Sequence, residues 1–275
     1  MQLVVCALAK NEHLYIKDWC NHYLKLGFDK IYIYDNDDLD SESVKNYLPN
    51  SDKIVVYDVR GRTGKNMQHE IYTEFYNTHN RQFDWCLFVD IDEFLVGIDN
   101  VKAWLGLWYL RNARQIRIKW RLFGDDDLIT RNMSVPVYKA FRKVITKSLC
   151  RNLKDKSCLE NQGKMMVRGG LENVVIESPH FASYRKRENV IPSVLPSGKP
   201  TWDKVEIKTN YRNENIYINH YMTKTLSEFV AQKLNRNDAV FNTSIALDYY
   251  WRINEKTPKK IEWLKEKGLL WVLRY

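Results

Sequence analysis

The stretch Trp85-Cys86-Leu87-Phe88-Val89-Asp90-Ile91-Asp92-Glu93-Phe94-Leu95 decides how this chain is read. Five apolar, β-favouring residues run straight into three acids, with Ile91 alone between the first two. In a strand over 85–89 the side chains alternate with period two, so Asp90 and Asp92 project to one side at its carboxyl end. Two carboxylates that close repel each other and are costly to strip of water. A divalent cation removes the conflict. Mg²⁺ and Mn²⁺ prefer hard oxygen ligands, take one or two protein carboxylates and complete their shell with substrate phosphates. The motif is therefore expected to hold a metal and a diphosphate; its bland counterpart is a solvated acidic turn closing a core strand.

Working outward, Leu3–Ala9 is continuously apolar, the pattern of a strand covered on both faces. Ile16, Trp19, Cys20 and Tyr23 recur at helical spacing, and Gly27 offers a stop. Strands are expected at 30–34, 53–59 and 115–120, and helices at 41–47, 67–76 and 101–110. Repeated βα units predict an α/β fold on an open, mostly parallel sheet with helices on both faces. The second half is less regular: short strands near 164–167 and 216–221, a helix over 226–235, a basic aperiodic stretch at 148–164, and a loop marked by Pro192, Pro196, Gly198 and Pro200.

Bulk properties narrow the function classes. The 275 residues suffice for one large domain, and 44% hydrophobic with 28% charged residues is ordinary globular composition. Seventeen Tyr and nine Trp suggest surfaces that stack on sugars, bases or headgroups. A formal charge of +9 favours anionic partners. No apolar run approaches the ~20 residues of a spanning helix, and the start lacks a basic leader with a cleavage site. A cytoplasmic protein is expected, with peripheral contact at the inner face of a membrane as an extension. Five cysteines without C-x-x-C spacing predict reduced thiols and no zinc site. Lys and Arg are scattered and no nucleic-acid motif is present, so no nucleic-acid partner is expected.

In open α/β sheets, ligands bind beyond the carboxyl ends of the strands. The first strand leads into Lys10, Asn11 and Glu12, the second into Asp35, Asn36 and Asp37, the third into Arg60–Lys65, and the fourth into Asp90, Asp92 and Glu93. Gly61-Arg62-Thr63-Gly64-Lys65-Asn66 lacks the frame of a phosphate loop and reads as a flexible basic loop able to reach a diphosphate.

Lys10-Asn11-Glu12, Tyr34-Asp35-Asn36, Gln68, Asp90-Ile91-Asp92-Glu93-Phe94, Lys119 to Gly124, Lys164 to Arg168, Pro179-His180-Phe181 and Ile218-Asn219-His220-Tyr221 occur in an order that resembles family 2-like and family 92-like glycosyltransferases of the GT-A fold. The segment from Lys224 to Arg236 resembles the helix that follows this histidine in that family. The resemblance implies a Rossmann-like nucleotide-diphospho-sugar transferase with C-terminal elaborations. It divides into a domain over 1–240, with a nucleotide-binding half at 1–120 and an acceptor-side half at 121–240, and a basic, aromatic helical tail at 241–275. It also implies that Lys10, Asn11, Glu12, Asp35 and Gln68 line the nucleotide pocket. Asp90 then faces ribose or metal, Asp92 the metal, and His220 completes the metal and diphosphate site.

The expected reaction moves a sugar from a UDP- or GDP-type donor to a hydroxyl of a glycan or lipid-linked glycan, with Mn²⁺ or Mg²⁺ and with Lys65 or Arg62 stabilising the leaving diphosphate. Asp125 is the expected base, with Asp126 and Asp127 as rivals, and direct displacement implies inversion. An aspartate-nucleophile phosphohydrolase and a non-enzymatic polyanion binder are the competing readings. The tail, with Trp251, Lys259, Lys260, Trp263, Trp271 and Arg274, is either a membrane-surface segment or a packed helix.

Overall fold

The computed structural model describes residues 1–146, 158–185, 189–204, 206–234 and 247–269. Four parallel strands open the chain: β1 (Leu3–Ala9), β2 (Lys30–Asp35), β3 (Ile54–Asp58) and β4 (Trp85–Phe88), with β1 between β2 and β4. The unbroken apolar run of β1 follows from that central place. Leu3, Val5, Ala7 and Ala9 face the layer containing α1 (Ile16–Leu26), whereas Val4, Cys6 and Leu8 face α2 (Met67–His79). Period two thus splits one strand between two cores.

The α1 helix buries Ile16, Trp19, Cys20, Tyr23 and Leu26, the i, i+3, i+4, i+7 stripe its sequence predicts. It stops at Gly27, whose φ of 100° is left-handed, and the Gly27 and Phe28 N–H groups close onto the carbonyls of Leu24 and Tyr23. On the other face, α2 sets Ile71, Tyr72, Phe75 and Tyr76 against the sheet. Truncating Phe75 to Ala there is worth about 3–5 kcal/mol of stability.

After β5 (Glu93–Val96), α3 (Val101–Leu105), β6 (Gln115–Leu122) and α4 (Val137–Ala140) come β7 (Gly163–Arg168), β8 (Val174–Ser178), β9 (Phe181–Tyr184), β10 (Asn189–Val190), β11 (Ser193–Val194), β12 (Pro200–Thr201) and β13 (Tyr217–His220). The chain closes with α5 (Leu226–Gln232), α6 (Leu247–Ile253) and α7 (Pro258–Glu266). The main sheet is ordered β12-β11-β6-β7-β4-β1-β2-β3, with β13 beside β6 and β5 beside β13; β8, β9 and β10 form a separate antiparallel sheet. Among the described strands of the main sheet, only β5, β7 and β12 run against their neighbours. The expected class holds: α/β, Rossmann-like, on a mostly parallel sheet.

The differences have local causes. The expected helix over 101–110 breaks at Gly106 into α3 and a 3-10 turn, and 41–47 yields only a 3-10 turn at Val44–Tyr47 capped by Ser43. Antiparallel β7 separates β4 from β6 within the mostly parallel sheet. Gly163 permits it, because a Cβ there would lie 2.1 Å from the Ile118 carbonyl oxygen. Cys6, Cys20 and Cys86 are buried free thiols, but Cys158 is disulfide-bonded, which corrects the expectation of five reduced cysteines.

In the tail, α6 and α7 dock on α5 through Leu226, Phe229, Leu247, Tyr250 and Leu264, and Lys260 is fully buried. Trp271, Arg274, Arg236 and residues 148–157 of the basic loop lie outside the described residues. Among the described residues no helix is long and apolar enough to cross a membrane.

Candidate functional site

Strand pairing brings the acid-bearing turns together. Ala9 at the end of β1 is in register with Asp35 at the end of β2, the Asn36 N–H donates to the Ala9 carbonyl, and the Val89 N–H donates to Cys6. Lys10–Glu12, Asp35–Asp38 and Asp90–Glu93 therefore emerge at one sheet edge. From the other direction, β13 pairs with β5 so that His220 stands opposite Glu93, and the Tyr221 N–H donates to the Asp92 carbonyl at 2.9 Å.

A buried charge cluster results. Lys164 at the start of β7 is 1% exposed and places its Nζ 2.6 Å from Asp90 Oδ2 and 3.4 Å from Glu93 Oε2. Gln68 of α2 donates to the other Asp90 oxygen at 3.0 Å. Asp92 Oδ2 accepts from Lys233 at 2.6 Å, and Lys224 Nζ lies 3.6 Å from both Asp92 Oδ2 and Glu12 Oε2. His220 bridges two acids, with Nε2 3.4 Å from Asp92 Oδ1 and Nδ1 3.5 Å from Glu93 Oε1. Its ring packs on Trp120, centroids 4.5 Å apart, and Trp120 also meets the His180 ring at 5.3 Å. Lys224 adopts a left-handed φ of 54°, and its ammonium sits 4.1 Å from the centre of the Tyr15 ring. A non-glycine residue held there is strained, as at many functional turns.

These neighbours set the protonation states. Burial alone would raise the Asp90 carboxyl, but Lys164 holds it below its ordinary value. Burial opposes Asp92 in the same way and is overcome by Lys233 and Lys224, which hold it well below. Glu93, sealed in the protein, is pushed well above the usual carboxyl range by burial despite Lys164. Burial also lowers His220, against the pull of Asp92, so its ring is neutral at neutral pH. His180 is lowered to about 3, again by burial. Its Nδ1 lies 2.6 Å from the Gly163 carbonyl, an atom that only accepts, so Nδ1 carries the hydrogen.

Of the residues singled out in the sequence, Asp90, Asp92, His220, Gln68 and Glu12 meet here. Others are engaged nearby. The Asp35 side chain bonds within its own loop: Ser43 Oγ at 2.7 Å, the Val44 N–H at 3.0 Å and the Asp37 N–H at 3.2 Å. Lys10 pairs with Asp38 at 2.8 Å, the Asn11 N–H donates to Asp37, and Lys65 is exposed ahead of α2. The three acids at 125–127 form a clasp. Asp125 is 4% exposed and accepts from Lys260 at 2.5 Å, from the Tyr250 hydroxyl and from the Asp127 N–H at 2.8 Å. Asp126 accepts from the N–H groups of Arg142 and Lys143, and Asp127 pairs with Lys259 and Lys260.

Sequence reasoning assigned no role to the cationic half of the site. Lys164 carried a signal, a lone charge heading the apolar run Met165-Met166-Val167. Lys224 and Lys233 lie in the 224–236 segment that the resemblance singled out, but nothing in its sequence joins them to Asp92; chain folding does.

Among the described residues no group of three His, Cys, Asp or Glu side chains is arranged to hold a metal. Asp90 turns to Lys164 and Gln68, and the donors that face each other are Asp92 Oδ1 and His220 Nε2. This pair fits a divalent cation that takes its remaining ligands from a substrate. Behind it, His220 Nδ1 and Glu93 Oε1 are buried without a hydrogen bond, facing each other as a carboxylate does behind a metal-ligating imidazole.

No family model and no curated protein matches the chain. Among solved structures, the galactosyltransferase LgtC in complex with donor and acceptor sugar analogues is similar at 16% identity and a TM-score of 0.26. The match covers 42% of this chain and 46% of that enzyme, and a likeness at this level carries no argument.

Proposed function

We propose that the chain is a metal-dependent glycosyltransferase that moves a sugar from a UDP- or GDP-type donor to a hydroxyl of a glycan, free or lipid-linked. One observation carries the reading: at the carboxyl edge of the parallel strands, Asp92 and His220 face each other at 3.4 Å inside a ring of buried lysines and acids. Asp92 and His220 would hold Mn²⁺ or Mg²⁺, which would supply positive charge against a leaving diphosphate.

The chain's own residues prepare that place. Lys164 and Gln68 fix both oxygens of Asp90, Glu93 stands behind the His220 ring, and Lys224 and Lys233 keep Asp92 ionised. With Glu93 and His220 neutral, the carboxylates of Glu12, Asp90 and Asp92 balance the ammonium groups of Lys164, Lys224 and Lys233. A cluster so balanced neither repels nor neutralises a diphosphate, and added divalent charge matches the charge that develops on it. Attack by the acceptor hydroxyl on the sugar carbon in one displacement inverts its configuration. The clasp contacts of Asp125 leave the acceptor's base outside this proposal.

The test is release of nucleoside diphosphate from a panel of nucleotide sugars with Mn²⁺, repeated with chelator. Asp92→Asn is expected to lower turnover by at least ~10²-fold, the scale of losing one preorganised electrostatic contact. Equal turnover by both proteins refutes the assignment, and phosphate release from simple monoesters favours the phosphohydrolase reading instead.

A further inference from the structure

Among the described residues the two most exposed large hydrophobic side chains are Trp108 and Trp202, each 78% exposed. Both belong to segments at the amino-terminal end of β6. Trp108 precedes that strand, and Trp202 follows β12, which pairs with β11, itself in register with Gln115 and Ile116 at the start of β6. The cluster lies toward the other end: His220 is in register with Leu122, seven residue steps and roughly 23 Å along the strand from Gln115, and Lys164 is in register with Ile118, three steps from it.

The segments bearing the two indoles are packed together. Gly198 approaches Tyr109 so closely that a Cβ would lie 2.8 Å from its ring, and the Trp104 indole donates to the Pro196 carbonyl at 3.2 Å. Trp108 meets Tyr109 edge-on at 5.8 Å. Arg111, Arg114, Lys199 and Lys204 are exposed on the same two segments. Residues 100–114 contain no acid, and residues 195–204 contain only Asp203, which accepts from Thr201 and Thr209.

We infer that this face docks on an anionic membrane surface. Exposed indoles are costly in water and settle at the headgroup level, where an amphipathic ring is solvated at one side only. The exposed basic residues supply the complementary charge, and neither feature serves the proposed catalytic cluster. The inference stands apart from the proposed reaction, because it uses no residue of that site.

The experiment is co-sedimentation of the full chain with vesicles of phosphatidylcholine alone or mixed with phosphatidylglycerol, at low and physiological salt. Binding is expected to the anionic vesicles only and to weaken with salt. Trp108→Ala with Trp202→Ala should weaken it roughly tenfold or more, as loss of apolar insertion does. Lys199→Ala with Lys204→Ala should weaken it by about fivefold per residue. Unchanged melting curves confirm that these surface variants fold. Absence of binding by the wild type overturns the inference, as does equal binding by both variants. Concentration-dependent dimerisation that the tryptophan variant abolishes also overturns it, assigning the face to a second copy of the chain.

Discussion

Replacing Lys164 by Met keeps the length of the side chain and removes the charge that two acids share. The ammonium is 1% exposed, 2.6 Å from Asp90 and 3.4 Å from a Glu93 that is wholly buried. Breaking a buried pair from one side costs about 3–5 kcal/mol, because the partner's charge is left desolvated. Asp90 is 34% exposed and can recover some hydration, so the lower end, ~3 kcal/mol, is expected at pH 7. The pH dependence separates this cause from lost packing. In the wild type Asp90 is held below its ordinary value, so its contribution is complete above about pH 4 and is lost as pH falls through the lowered value. Without Lys164, burial is the main influence remaining on Asp90 and raises it, so the variant gains from protonation at pH values where the wild-type contribution is still complete. The stability gap should shrink steadily from pH 7 toward pH 4. Urea denaturation of both proteins across that range measures it. A gap below 1 kcal/mol at pH 7, or one that stays constant with pH, refutes the charge argument.

The neighbouring acid gives the opposite result. Glu93→Gln mimics the protonated carboxyl that burial favours, so it should cost less than ~1 kcal/mol at pH 6. A carboxyl raised in the folded state stabilises below the unfolded value and loses that contribution as pH rises through the folded one. The variant should therefore gain on the wild type in alkaline melts, and a fixed offset between them counts against a protonated Glu93. Asp125→Asn removes the 2.5 Å charge partner of the buried Lys260 ammonium, leaving it Asp127 at 3.3 Å and the Glu255 carbonyl at 3.0 Å, and should lower unfolding free energy by about 3 kcal/mol. Asp127→Asn should leave turnover per folded molecule within about threefold; a loss of ~10²-fold would assign the base role to Asp127. Thr225→Ala removes the cap of α5, where Thr225 Oγ1 accepts from the Glu228 N–H and donates to Glu228 Oε2 at 2.7 Å. It should cost about 1–2 kcal/mol in chemical denaturation.

How much of the fold was legible depended on whether local pattern and final neighbours agreed. The run Leu3–Ala9 could only be a strand covered on both sides, and it is central. The α1 stripe with its glycine stop was equally explicit. Glu93–Val96 was not, because a strand beginning so soon after another reads as its continuation, and only pairing with β13 turns it into a separate element. Likewise nothing local to 163–168 says antiparallel. The direction of β7 is fixed by β4 and β6 on either side, and its close approach by a glycine whose significance appears only beside Ile118.

The same distinction governs the site. Carboxylates announce themselves in sequence because three of them at the end of an apolar strand violate the pattern around them. The cations that make such a group tolerable need not be near in sequence, and here Lys164, Lys224 and Lys233 come from the start of β7 and the two flanks of α5. Burial then makes them obligatory: an acid such as Asp92, 4% exposed, stays ionised only if opposite charge reaches it. Buried acids in a sequence motif therefore imply a comparable number of buried cations elsewhere in the chain. A lysine heading an otherwise apolar strand, as Lys164 does ahead of Met165-Met166-Val167, is the kind of position where the sequence itself marks such a cation.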